Sequence, residues 1–218
     1  MSKEMNHSSV IVKEGVPFVI LPGAAAIIAF FSGLVWVAVL LFLLTLFVVW
    51  FFRNPERTIP ENPLLLISPA DGKVIRIEEI SGNDYSDRSL LKISIFMNVF
   101  NVHVNRIPYS GQVVSIRYTP GKFLSANLDK ASALNEKNAV LIRTDDGLEI
   151  IIVQIAGLIA RRIVCWMKEG MKVKKGERFG LIRFGSRVEV FLPLGSTTLL
   201  VKTGDKVRAG ETPIGELK

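Results

Sequence analysis

The chain has 218 residues, 49% hydrophobic and 22% charged, with one cysteine and two histidines. A single cysteine, Cys165, excludes a disulfide framework and a cysteine-based zinc site, and His7 and His103 are too few for most histidine-rich metal sites. A net charge of +7 fits an anionic partner, either nucleic acid or an anionic membrane surface.

The mean hydropathy of +0.37 is high, and the excess is local. Residues 15–52 are 38 consecutive positions without a charge. One span needs about 20 apolar residues, so this run is too long for a single straight helix. Residues 34–52 form one solid candidate span. Residues 16–31 are apolar but carry Pro17, Pro22 and Gly23, and Ser32-Gly33 between the two segments reads as a turn. Two arrangements stay open: a helical hairpin, or one span preceded by an interfacial stretch. Trp50, Phe51 and Phe52 followed by Arg53 and Arg57 form an aromatic edge and then positive charge. That pattern marks a cytoplasmic boundary and puts residues 53–218 in the cytoplasm, attached to the cell membrane. The expected organisation is a tail over 1–15, a membrane segment over 16–52 and a domain over 53–218.

The domain reads as mainly β. Lys73–Glu79 and Lys92–Met97 alternate, and Gln112–Tyr118, Ala139–Arg143 and Leu148–Ile155 are β-branched runs bounded by turn residues. Residues 127–136 predict a short helix or an ordered loop. Gly170-x-x-Val173-x-x-Gly176-Glu177 recurs 34 residues later as Gly204-x-x-Val207-x-x-Gly210-Glu211. Such strand-turn units, with glycine at turns needing positive φ, are used by lipoyl- and biotinyl-type β sandwiches. Ser68–Val74 looks like another. The expected fold is an antiparallel β sandwich resembling a barrel-sandwich hybrid, behind an N-terminal membrane-associated helical segment.

Four positions stand out chemically, and each has a plain structural reading beside it. Asp71-Gly72 is a common turn dipeptide. His103, in Asn101-Val102-His103-Val104-Asn105-Arg106, is the one histidine outside the N-terminal tail. Arg161-Arg162 suits a lipid surface. Ser186 follows Gly185, and a Gly-Ser pair is often only a turn.

Together with their neighbours these residues resemble one family. Arg53-Asn54-Pro55-Glu56-Arg57, Pro69-Ala70-Asp71-Gly72, Phe100–Arg106 and Pro120-Gly121-Lys122-Phe123 appear in order. Asn135-Glu136-Lys137-Asn138, Gln154-Ile155-Ala156-Gly157, Ala160-Arg161-Arg162-Ile163, Gly176–Gly180 and Arg183-Phe184-Gly185-Ser186-Arg187 follow. From about residue 51 onward the chain resembles the short form of phosphatidylserine decarboxylase, a self-processing pyruvoyl enzyme of phospholipid biosynthesis.

The resemblance implies conversion of phosphatidylserine to phosphatidylethanolamine, with archaetidylserine as an alternative substrate carrying the same headgroup. It implies a pyruvoyl cofactor made from Ser186, with no PLP and no metal, acting through a Schiff base to the substrate amine. The Ser186 hydroxyl attacks the Gly185 carbonyl, and β-elimination then separates a large chain, 1–185, from a small chain, 186–218. A hydroxyl nucleophile needs a base and a group to orient that base. The resemblance places His103 as base and Asp71 as its partner. The two chains are expected to stay together as a heterodimer, the number of such pairs being left open. Arg161, Arg162 and Arg187 are headgroup candidates by charge alone. Leu194-Gly195-Ser196-Thr197 is a second Gly-Ser site, resembling the cleavage motif of longer family members, but the motifs flank Ser186 on both sides.

A membrane-anchored, non-enzymatic lipoyl- or biotinyl-like adaptor is the alternative, although no lysine sits in the expected modified hairpin. Nucleic acid is not expected as a partner, because basic charge beside a span is accounted for by anionic lipid and no aromatic-rich binding motif is present.

Overall fold

The computed structural model describes residues 9–83, 85–126, 130–158, 162–183 and 185–218. Parts of residues 127–136, Arg161 and Phe184 therefore lie outside the described residues. The chain divides into two units, Met1–Glu56 and Arg57–Lys218.

In the first unit the charge-free run folds into two helices, α1 (Val16–Phe31) and α2 (Val35–Phe51). Pro17 sits in the first turn of α1, where its missing N–H has no helical partner to lose. Pro22 lies inside α1, which continues through it. The break falls at Ser32-Gly33, where Gly33 has φ +77°. Small residues mark the seam, since Ala26 and Ala29 of α1 and Ala38 of α2 are among the few buried positions. Thr45 satisfies its hydroxyl within α2 by donating to the Leu41 carbonyl at 2.8 Å. Val12 N donates to Phe52 O, and Asn54 N to Val10 O, so the chain enters and leaves at one end. Within this unit α1 and α2 form a helical hairpin. Large apolar side chains face outward, with Phe31 and Trp36 each 83% exposed. Lys13–Phe31 is long and apolar enough to cross a bilayer by length and composition, while α2 is shorter.

The second unit is mainly β and antiparallel. Its elements are β1 (Leu65–Ile67), β2 (Gly72–Asn83), β3 (Ser86–Met97), β4 (Val104–Arg106), β5 (Gly111–Thr119), α3 (Lys130–Leu134), β6 (Lys137–Arg143) and β7 (Glu149–Ala156). They continue as β8 (Ile163–Cys165), β9 (Lys172–Val173), β10 (Arg178–Ile182), β11 (Ser186–Pro193), β12 (Thr197–Leu199), β13 (Lys206–Val207) and β14 (Pro213–Leu217). Eight strands form a curled sheet in the order β13-β2-β3-β11-β7-β6-β5-β9, joined by two three-stranded sheets, β4-β10-β8 and β1-β14-β12. Ile93, Ile95, Met97, Val140, Ile142, Ile150, Ile152, Val188 and Val190 share one core. Strand β11 is central, paired with β3 from Ser186↔Met97 to Pro193↔Leu90 and with β7 from Ser186↔Ala156 to Phe191↔Ile151. Successive side chains alternate faces, so Ser186, Val188, Val190 and Leu192 share the main core, while Arg187, Glu189 and Phe191 face the other way.

The 34-residue repeat has a structural counterpart that its own letters do not reveal. Gly170 N and Gly204 N donate to the carbonyls of Val113 and Val74, each at 2.8 Å. Gly176 N and Gly210 N donate to Ile107 O and Ser68 O. Each repeat thus pairs with a Pro-x-x-Gly-x-Val segment, Pro108–Val113 for the first and Pro69–Val74 for the second. Gly72 and Gly111 leave the same room, since a Cβ there would strike the backbone of Phe96 or Arg143.

Candidate active site

Ser186 opens β11 and is fully buried. Its hydroxyl donates to the Met97 sulfur at 3.4 Å, across the β3–β11 pair. Sulfur is a weak acceptor, so the hydroxyl is oriented without being tied to a strong partner. The preceding Gly185 has φ +68°, a conformation that costs other residues about 1–3 kcal/mol. A Cβ there would meet nothing within 4 Å, so backbone conformation, not space, calls for glycine. At Gly157 space is the reason: a Cβ would overlap the carbonyl oxygen of Gly185 and crowd Ala126.

His103 is 2% exposed and lies just before β4. Its Nδ1 is 3.0 Å from the Asn101 carbonyl, and its Nε2 is 3.3 Å from the backbone nitrogen of Gly185. Both contacts are satisfied by the neutral ring with its proton on Nδ1, donating to Asn101 O. The Nε2 lone pair then accepts the backbone N–H of Gly185, the residue before Ser186. Asn98 and Asn101 stiffen this loop: Asn98 N donates to Asn101 Oδ1, and Phe100 N to Asn98 Oδ1, both at 2.9 Å. Ile182 N donates to His103 O at 3.3 Å, tying the histidine to the end of β10.

Asp71 occupies the turn before β2. Its carboxylate accepts two bonds from Arg57 Nη2, at 3.1 and 2.9 Å, and one from Ala209 N at 2.8 Å. Arg57 also reaches Glu211 at 3.3 Å. The matching position in the first repeat is Ser110, whose hydroxyl accepts from Lys175 N at 2.9 Å. Asp71 is therefore a turn cap of the repeat with one further feature, a charge held by Arg57. The structure brings Ser186, Gly185 and His103 together. It engages the Asp71 carboxylate with Arg57 and Ala209, and Nδ1 of His103 with a backbone carbonyl.

The other candidates are distributed differently. Arg162 is exposed. Arg187 points to the face opposite the Ser186 hydroxyl and is buried, with Nη1 2.7 Å from Ser132 Oγ and 3.3 Å from Glu189 Oε1. Ser196 lies in the turn after β11, where its hydroxyl donates to Pro193 O at 2.7 Å.

Several contributors escaped the sequence reading. Asn135 donates to Leu124 O and Ala156 O, both at 2.7 Å, and so pins the segment before α3 beside Gly157. Asn105, Gln154 and Asn138 form a buried amide row that reaches Met97. Cys165 lies near the far end of that row. Burial pushes its thiol pKa up, against the lowering contacts from Met167 backbone and the Asn138 side chain. Asn105, Asn135, Asn138 and Gln154 all stand within the family motifs, but which groups they bond required the fold.

Comparison with known proteins bears on this geometry. A family model described as phosphatidylserine decarboxylase matches residues 44–215. A phosphatidylserine decarboxylase proenzyme of Syntrophus aciditrophicus is 60% identical over 212 residues, covering 97% of this chain and 99% of the relative. Proenzymes of the same name from Desulfotalea psychrophila and Burkholderia vietnamiensis are 50% and 47% identical, over 95% and 96% of this chain and 96% and 97% of their own. With the Gly185 N–H bonded to His103 just before the buried Ser186, and relatives matched over nearly their whole length, the chain belongs to the phosphatidylserine decarboxylase family.

Proposed function

We propose that this decarboxylase acts on phosphatidylserine in a membrane, using a pyruvoyl group that it makes from its own Ser186. The observation that carries the reading is the imidazole of His103 bonded to the N–H of Gly185, a glycine required by its backbone and followed by the buried Ser186. His103 Nε2 takes the Ser186 proton, and the hydroxyl oxygen attacks the Gly185 carbonyl carbon. The Gly185–Ser186 C–N bond breaks, and the proton passes to the Ser186 nitrogen, leaving an ester. Loss of the Ser186 α-proton then breaks the Cβ–Oγ bond, and Gly185 departs as the carboxylate of the large chain. The dehydroalanine left at position 186 takes up one water and releases one ammonia. Asn101 O holds the ring on Nδ1 in the uncleaved chain. Asp71 serves the charged imidazolium once its carboxylate is released from Arg57.

The residues present fit the group. Position 186 is buried, the missing side chain of Gly157 lets the Gly185 carbonyl lie close, and Met97 offers a non-basic surface to the new methyl. When formed, the pyruvoyl group supplies the electron sink that loss of carbon dioxide from an α-amino acid requires. His103 is positioned to protonate the product carbon.

After cleavage the small chain keeps β11 between β3 and β7, β13 on β2, and β14 beside β1. This interleaving favours a lasting heterodimer. The apolar hairpin and the +7 charge suit an anionic phospholipid membrane, and Arg53 beside Trp50 suits its cytoplasmic face. Archaetidylserine has the same headgroup and is handled by the same residues. The test is carbon dioxide release from phosphatidylserine in mixed micelles. Wild type is expected to be active and Ser186→Ala inactive; activity retained by Ser186→Ala would overturn the reading.

A further inference from the structure

The strongest unexplained feature of the domain is the row of buried amides behind Ser186. Asn105 on β4, Gln154 on β7 and Asn138 on β6 are all buried between the small β4-β10-β8 sheet and the large one. Asn138 Nδ2 donates to Gln154 Oε1 at 3.2 Å, and Gln154 Nε2 donates to Asn105 Oδ1 at 2.9 Å. Asn105 Nδ2 then donates to Met97 Sδ at 3.7 Å, the same sulfur that accepts the Ser186 hydroxyl at 3.4 Å. The fold makes room for this row. Gly180 pairs with Asn105, and a Cβ there would come within 3.0 Å of Gln154 Nε2.

A core of this kind is ordinarily filled by apolar groups, and buried amides persist only where every member is oriented by another. Here all three amides point their N–H ends the same way, toward Met97. The row therefore presents the positive end of three aligned dipoles to the place where Ser186 carries its oxygen. Two consequences follow from that polarity. The Met97 sulfur is held from one side by Asn105, so it fixes the rotamer of Ser186 without removing its proton. The donor end of the row also bears on the Ser186 hydroxyl through that shared sulfur, which bonds to both.

We propose that Asn105, oriented by Gln154 and Asn138, is a positioning residue for the self-processing of Ser186, acting through the Met97 sulfur. The inference rests on the reading of Ser186 as the processed residue.

Asn105→Asp tests it with little change of shape. The aspartate can still accept from Gln154, but the donor toward Met97 is gone and a negative charge faces the nucleophile. Met97→Leu is the second variant, since it keeps the apolar volume and removes the shared acceptor. Full-length protein is followed from synthesis in the presence of phospholipid vesicles, by the fraction cleaved with time, with and without hydroxylamine. Hydroxylamine cuts an accumulated ester but not an unreacted peptide.

The expected result is processing slowed about ten-fold or more in both variants, at a rate hydroxylamine does not restore. The thermal midpoint of Met97→Leu should stay near that of Ser186→Ala, the uncut reference, while Asn105→Asp, which buries a charge, should fall below it. The hydroxylamine readout separates poor positioning of the nucleophile from a general loss of structure that also slows elimination. If wild type divides and both variants divide at the wild-type rate, or if hydroxylamine restores cleavage, the positioning role is overturned while Ser186 processing stands. If wild type never divides, the Ser186 reading itself fails, and this inference with it.

Discussion

The Nε2 atom of His103 stands 3.3 Å from the backbone nitrogen of Gly185, while Nδ1 of the same ring is held 3.0 Å from the Asn101 carbonyl. The ring thus accepts the Gly185 N–H on Nε2, one residue before Ser186, and the proposed base role requires that lone pair to pass from Gly185 N–H to the Ser186 hydroxyl. His103→Gln keeps a polar side chain of similar reach and removes the basicity. It is expected to slow processing by about 10²- to 10⁴-fold, the usual contribution of a general base. Gel analysis of freshly made protein reads the result; rapid division of His103→Gln would remove the histidine from the reaction.

Gly157 is expected to be as demanding as Gly185, for a different reason. A Cβ at 157 would overlap the Gly185 carbonyl oxygen and so displace the carbonyl whose carbon the Ser186 hydroxyl attacks. Gly157→Ala should block or strongly slow cleavage and cost about 1–3 kcal/mol of stability, as overpacking does. Gly195→Ala is the control. It too has positive φ but an open surrounding, so it should lose about 1 kcal/mol and still divide normally. Normal processing of Gly157→Ala would show that the carbonyl can move aside.

The Asp71–Arg57 pair separates two roles by substitution. Both side chains are largely buried, so removing either partner should lower stability by about 3 kcal/mol, measured by denaturant unfolding of the Ser186→Ala background. The processing rates should differ. Asp71→Asn retains an acceptor for Ala209 N but has no charge for the imidazolium, and is expected to process slowly. Arg57→Gln releases the carboxylate and is expected to process at least as fast as wild type. Equal, undiminished rates in both would make Asp71 a turn cap only, like Ser110.

Cys165 gives a pH-dependent readout of the packing around the amide row. Burial raises its pKa above the ordinary thiol value, so less thiolate is present at a given pH than for an exposed cysteine. Alkylation by iodoacetamide at pH 8 should be slower than for a free thiol and should rise with pH beyond the point where a free thiol levels off. Fast alkylation at pH 8 would mean that the region around Asn138 is open.

The sequence made the β character of the domain legible, because Lys92–Met97, Gln112–Tyr118 and Leu148–Ile155 alternate or run apolar between turn residues. The strand ends moved outward where hairpins extend into solvent, as in β2 and β3. The 34-residue repeat was visible because glycine at positive φ has few substitutes, as at Gly176 and Gly210. Its partner segments, Pro69–Val74 and Pro108–Val113, were not, since they match only in Pro, Gly and Val. Ser186, Gly185 and His103 were legible from the family motifs. The orientation of His103 by a backbone carbonyl was not, since no side-chain letter encodes it. Arg57 was visible as a membrane-boundary charge, and its bond to Asp71 required the fold. Asn105 and Gln154 stood within the family motifs, but their bond to each other required the fold to bring β4 and β7 together.

The central claim is that Ser186 becomes the amino-terminal group of a separate small chain. Intact mass of purified wild type and Ser186→Ala tests it most directly. The account predicts two chains from wild type, residues 1–185 and a 33-residue chain from position 186 to Lys218 with its amino terminus replaced by pyruvoyl. Ser186→Ala should remain one chain of 218 residues. A fully active wild type of a single uncut mass, or a small chain of 23 residues beginning at position 196, would contradict it.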